Sequence, residues 1–116
     1  MKLLSKVKSG DLWYCKNCQS FHLVFNNLFL ALNRGELKRL KSYIDGLEID
    51  YWEHKYACSD LCRKIPLPTT QDNLVVMFNR QEVIELRHLL SFLNKNHEKK
   101  GLYLNVDDID YNLILN

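Results

Sequence analysis

Phe21-His22-Leu23-Val24-Phe25-Asn26-Asn27-Leu28-Phe29-Leu30-Ala31-Leu32-Asn33-Arg34-Gly35-Glu36-Leu37 is the stretch that decides how this chain is read. Two apolar runs are joined by two asparagines. Asn tolerates the positive φ that a two-residue hairpin turn demands, so the run predicts an antiparallel hairpin. At Asn33 the periodicity changes. Leu37, Leu40, Ile44, Leu47 and Tyr51 recur at spacings of three and four, which marks a helix with one buried stripe. Asn33 is a suitable N-cap, and Glu36 completes a capping box three residues later. The expectation is one helix over 34–50.

Working outward, the second half repeats the pattern. Leu74-Val75-Val76-Met77-Phe78 reads as an apolar strand, and Asn79 with Glu82 reads as a second capping box. Val83, Leu86, Leu90 and Leu93 form a second stripe, predicting a helix over 80–96. Aligning Asn33 with Asn79 also aligns Arg34 with Arg80, Glu36 with Glu82, Leu28 with Leu74, Leu40 with Leu86 and Leu47 with Leu93. Caps and stripes are generic, so this similarity could arise without duplication. The alignment nevertheless predicts two β-β-α halves, about 11–50 and 55–96, related by a pseudo-two-fold axis.

Between the stripes, 61–67 could form a strand, which Pro66 and Pro68 confine to an edge or end. Residues 69–73 have turn chemistry. Residues 11–18 read as a short strand or ordered loop. The predicted fold is α+β, a single domain over 1–116 with four to five antiparallel strands and both helices on one sheet face. Residues 101–116 alternate apolar and polar around the acidic turn Asp107-Asp108-Ile109-Asp110. That segment is expected to be a final hairpin or a segment that dimerises.

The bulk properties set broad limits. A chain of 116 residues, 47% hydrophobic and 26% charged, can bury one core and is not disordered. A net charge of +2 excludes a strongly electrostatic protein, while leaving room for a local basic patch. Lys2, Lys6 and Lys8 interrupt any signal-peptide core. The longest apolar runs, 28–32 and 74–78, fall far short of the roughly 20 residues a membrane span needs. A cytoplasmic protein with no membrane contact is expected, its four cysteines kept as thiols or metal ligands.

Those cysteines fall into two pairs, Cys15-x-x-Cys18 and Cys58-x-x-x-Cys62. Two residues between thiols let both sulfurs reach one ion at about 2.3 Å, and a second pair would complete a structural zinc site. The spacing of the second pair is unusual, and His22 is a possible substitute ligand. If the halves are two-fold related, the pairs lie at opposite strand ends, roughly 20 Å apart at about 3.3 Å per residue. The competing reading is thiols packed as small hydrophobes. Redox chemistry is disfavoured, because Cys18 leads into strand-like sequence without the helix dipole that stabilises a thiolate.

Common catalytic signatures are missing. Gly10, Gly35, Gly46 and Gly101 are scattered, so no phosphate cradle is formed. Neither a nucleophile elbow nor a His-Glu-x-x-His motif occurs, and an enzyme is not the favoured reading. For nucleic acid, Arg34, Lys38, Arg39 and Lys41 cluster on the first predicted helix, with Arg63 and Lys64 elsewhere, and Trp13, Tyr14 and Phe21 could stack on bases. Glu36, Asp45 and Glu48 dilute that patch.

Several stretches together resemble a known group: Cys15-Lys16-Asn17-Cys18 with Phe21-His22-Leu23 and Asn26-Asn27; Asp50-Tyr51-Trp52-Glu53; Lys64-Ile65-Pro66-Leu67-Pro68-Thr69; and Asn79-Arg80-Gln81-Glu82. They resemble a small family of short uncharacterised bacterial proteins, a domain of unknown function, over about 10–95. The resemblance implies a bacterial cytoplasmic protein and no mechanism. It carries the first cysteine pair and not the second, so a four-cysteine site would not be a family property. The favoured functional reading is a small protein-interaction or regulatory module that self-associates. The alternative is a zinc-containing adapter that binds nucleic acid.

Overall fold

A computed structural model describes residues 1–93. The expected tail segment 101–116 and the far end of the second helix lie outside the described residues.

The central hairpin forms as the asparagines predict. Strand β3 (Ser20–Phe25) pairs with β4 (Leu28–Leu32), Phe25 stands opposite Leu28, and Asn26 takes a φ of 52°. Strand β2 (Gly10–Cys15) pairs with the other side of β3, and β1 (Lys2–Val7) pairs with β2. The result is a four-stranded antiparallel meander in the order β1-β2-β3-β4. Alternation puts Leu12 and Tyr14 of β2, Phe21, Leu23 and Phe25 of β3, and Leu28, Leu30 and Leu32 of β4 on one face. This is the core face, with Leu12, Phe21, Leu23 and Phe25 buried.

Strand β1 was not legible as a strand. Its register jumps between Leu3↔Trp13 and Ser5↔Leu12, so Leu4 is an extra residue, and the bulge lets both Leu4 and Val7 pack against the core.

Helix α1 (Arg34–Asp45) starts on the predicted capping box. The Glu36 N–H donates to Asn33 Oδ1 at 2.8 Å, and the Asn33 N–H donates to Glu36 Oε1 at 2.8 Å. The helix expected over 34–50 is in fact two. Gly46 caps α1, and a separate helix α2 (Ile49–Lys55) follows. The reason is packing: Leu47 and Ile49 are both buried, and two residues apart on one straight helix they would face opposite sides. The end of α1 and the turn after it are also held from later in the chain. Arg87 donates through Nε to Ile44 O at 3.1 Å and through a terminal nitrogen to Leu47 O at 2.7 Å.

The second half supplies β5 (Ile65–Pro68), β6 (Val75–Phe78) and α3 (Arg80–Leu90), again started by an asparagine and glutamate capping box. The strand expected over 61–67 begins only at Ile65. The expected sheet of four to five strands has four, and β5 and β6 form a separate sheet of two. Proline removes a ladder donor at each alternate position of β5, which limits that strand to a short pairing with β6. The order hairpin, asparagine cap, helix occurs twice, but the hairpins enter different sheets and, among the described residues, β1–β2 has no counterpart in the second half. The expected pseudo-two-fold repeat is therefore not confirmed by this architecture.

The fold class is α+β. Helix α1 lies against β3 and β4, α3 lies against β1 and β2, and the two helices touch each other. Helix α2 rests on β5. Phe25 meets Phe78 edge-on at 6.0 Å, which joins the small sheet to the core. Between Leu23, Phe25, Leu40, Phe78 and Leu86 the free volume is only about 10 Å3, too little for a ligand. Among the described residues no helix is long and apolar enough to cross a membrane.

Candidate functional site

The helices cover one face of the meander, so alternation sends the other half of its side chains outward. Cross-strand rows on the outer face run Leu3, Trp13, His22, Ala31 and then Lys6, Asp11, Val24, Phe29. Phe29 keeps 60% of its surface exposed and Leu3 43%. The Trp13 indole N–H donates to Asp11 Oδ1 at 2.8 Å, which fixes its ring. The His22 ring lies 5.2 Å from that of Phe29, with its Nε2 3.2 Å from Ser20 Oγ. An aromatic and aliphatic surface thus stands where a sheet facing solvent usually carries polar side chains.

The two edges of this sheet differ. β1 carries Lys2 and Lys6 and a bulge, devices that discourage pairing with another chain. β4 is Leu-Phe-Leu-Ala-Leu, with neither charge nor proline. No Asp, Glu, Lys or Arg occurs anywhere in 17–33, although the chain is 26% charged.

At one end of the outer face the β2–β3 connection carries the first cysteine pair. Cys15 closes β2 opposite Ser20, and Gln19 turns the chain back at φ 52°. The Cys18 N–H donates to Cys15 Sγ at 3.3 Å, and the two sulfurs are 2.8 Å apart. The hydrogen bond shared with the Cys18 thiol, then those from the Cys18 and Asn17 backbones, pull the Cys15 thiol below the ordinary thiol range. The same shared hydrogen bond pushes Cys18 up.

Cys58 and Cys62 lie exposed on the segment between α2 and β5. Cys62 borders an open cleft of about 280 Å3 with Glu53, Lys64 and Asn79. The structure therefore brings Cys15 and Cys18 together without gathering the second pair or His22 to them. Among the described residues no three His, Cys, Asp or Glu side chains group closely enough to hold a metal ion.

The residues singled out for nucleic acid are also dispersed. Phe21 is buried, and Tyr14 packs on it at 4.9 Å on the core face, so only Trp13 of the three aromatics reaches the outer face. Lys38 and Arg39 are exposed on α1, which covers the opposite face of the sheet, and Lys41 pairs with Asp45. Arg63 is engaged by Glu82 in a two-pronged contact, at 2.7 and 2.8 Å.

Sequence reasoning missed the outer face, because Trp13, His22 and Phe29 share a surface only once the registers of three strands are known. It also missed the aromatic cluster of α2. There Lys55 Nζ lies 5.1 Å from the Trp52 ring centre, flanked by Tyr51 and Tyr56.

The chain belongs to a family of unknown function (DUF6686), matched over residues 1–116. No curated protein and no solved structure matches it.

Proposed function

We propose that this chain is a small interaction module that associates with a second copy of itself through strand β4. The observation that carries this reading is the uncharged, proline-free edge strand with Phe29 exposed beside it. Two-fold antiparallel pairing brings a strand opposite its own copy, so any charge on it would meet its twin or a close neighbour. β4 has none, whereas β1 would bring Lys2 and Lys6 against Lys2 and Lys6. Pairing through β4 would join two meanders into one eight-stranded sheet, with the helices on one face and both outer faces continuous on the other. Strand addition of this kind gains its affinity from main-chain hydrogen bonds and its selectivity from alternate side chains.

Ala31 and Phe29 point outward, so replacing them leaves the core intact. The expected outcome is that Ala31→Lys and Phe29→Lys give monomers with an unchanged far-ultraviolet circular dichroism spectrum. Association through 101–116 is the rival arrangement. It would be lost on truncation after Lys100 and would survive both lysine substitutions, the reverse of what pairing through β4 predicts.

A further inference from the structure

We propose that Cys15 and Cys18 form a thiol–disulfide exchange site that takes a small-molecule disulfide of the glutathione type and closes into an intramolecular disulfide. This does not depend on how the chain associates, because both sulfurs belong to one exposed turn.

The argument rests first on geometry. The two sulfurs are 2.8 Å apart at the end of a hairpin, so a bond between them requires no rearrangement of the sheet. The ladder stops at Cys15↔Ser20, which leaves residues 16–19 as a connection able to adjust. Cys18 is exposed and Cys15 partly exposed, so a small disulfide can reach them. Neither pairs with a third donor among the described residues, so the thiols are not gathered into a metal cluster there.

The second strand of the argument is a division of labour between the two thiols. The usual support for a reactive cysteine is a helix N-terminus, absent here. The turn provides a local equivalent. The peptide N–H of Cys18 points at Cys15 Sγ, and the two thiols share one hydrogen bond, so Cys15 Sγ alone of the two sulfurs receives a backbone donor from this contact. Negative charge is therefore favoured on Cys15, while Cys18 keeps its proton.

In the exchange, the Cys15 thiolate attacks one sulfur of the oxidant. A Cys15–glutathione bond forms, the oxidant's S–S bond breaks, and one glutathione thiolate leaves. That thiolate, or solvent, takes the proton from Cys18. The Cys18 thiolate then attacks Cys15 Sγ and expels the second glutathione. In sum, two protein thiols are oxidised, one disulfide is reduced, and two molecules of glutathione thiol are released.

Oxidised glutathione tests this on the full chain, reduced and freed of metal by a chelator. Peptide mapping should find a Cys15–Cys18 link, with a mass loss of about 2 Da from two hydrogens, no lasting glutathione on either residue, and full reversal by dithiothreitol. Cys18→Ser should trap glutathione on Cys15, at a rate about threefold or more above that of Cys18 in Cys15→Ser, the gain expected when extra thiolate outweighs reduced nucleophilicity. Both residues remaining thiols would overturn the proposal, as would stable separate adducts on each or a link formed only between Cys58 and Cys62. So would recovery of the untreated protein with zinc bound at Cys15 and Cys18 that shields them from oxidised glutathione.

Discussion

Glu82 ties three separate parts of the molecule together. It completes the α3 capping box with Asn79, accepts three hydrogen bonds from Arg63 and one from the Asn26 side chain at 3.1 Å, and is 6% exposed. The β3–β4 turn, the segment before β5 and the start of α3 thus meet at one carboxylate. Hydrogen bonding to Arg63 is the main reason its carboxyl is held below the ordinary range. A depressed carboxylate pKa stabilises the fold fully above the unfolded value of about 4.3, and that contribution is lost as pH falls through the folded value. Glu82→Gln should therefore cost about 2 kcal/mol at pH 7, less than a fully buried pair because Arg63 is half exposed. The deficit should shrink towards pH 3 in chemical denaturation. Arg87→Met should likewise cost about 1 kcal/mol, since it removes the side-chain donor to Leu47 O and leaves Ile44 O with only the Leu47 N–H, while keeping the apolar stem. The capping role of Glu82 was legible in the sequence from its spacing to Asn79. Its bonds to Arg63 and Asn26 were not, because they cross 19 and 56 positions.

At the scale of elements, local signals placed what local energetics govern. The asparagine turn, both capping boxes and the alternation of β3 and β4 stood where they were expected. Elements whose form depends on distant packing were misjudged. The pattern 37, 40, 44, 47, 51 is periodic, yet the chain breaks at Gly46 so that Leu47 and Ile49 can both be buried. β1 escaped notice because its bulge destroys the alternation that signals a strand. Gly10 shows how tightly the first two hairpins are fitted together. A Cβ there would lie 2.1 Å from Val24 O, a backbone atom, where Gly10 pairs with Phe25. The Ser9 carbonyl also accepts from the Asn26 N–H at 2.8 Å, so the two hairpin turns are bonded to each other. Gly10→Ala should therefore lower stability by about 2 kcal/mol through overpacking, seen as a lower urea midpoint with an unchanged slope.

For the whole molecule, the decisive feature is an asymmetry between faces and between edges. One face of the meander is sealed by α1 and α3, while the other presents Leu3, Trp13, His22, Val24, Phe29 and Ala31. One edge is guarded by lysines and a bulge, while the other carries no charge and, among the described residues, has no strand paired to it. Composition did not reveal this, since a net charge of +2 averages an uncharged hairpin with charged helices. The central claim is that the uncharged edge pairs with its own copy, and sedimentation equilibrium of the full chain beside Ala31→Lys tests it most directly. The account predicts about twice 13.8 kDa for the unsubstituted protein and about 13.8 kDa for the variant. The unsubstituted protein at the monomer mass, or the variant still at twice that mass, would contradict it.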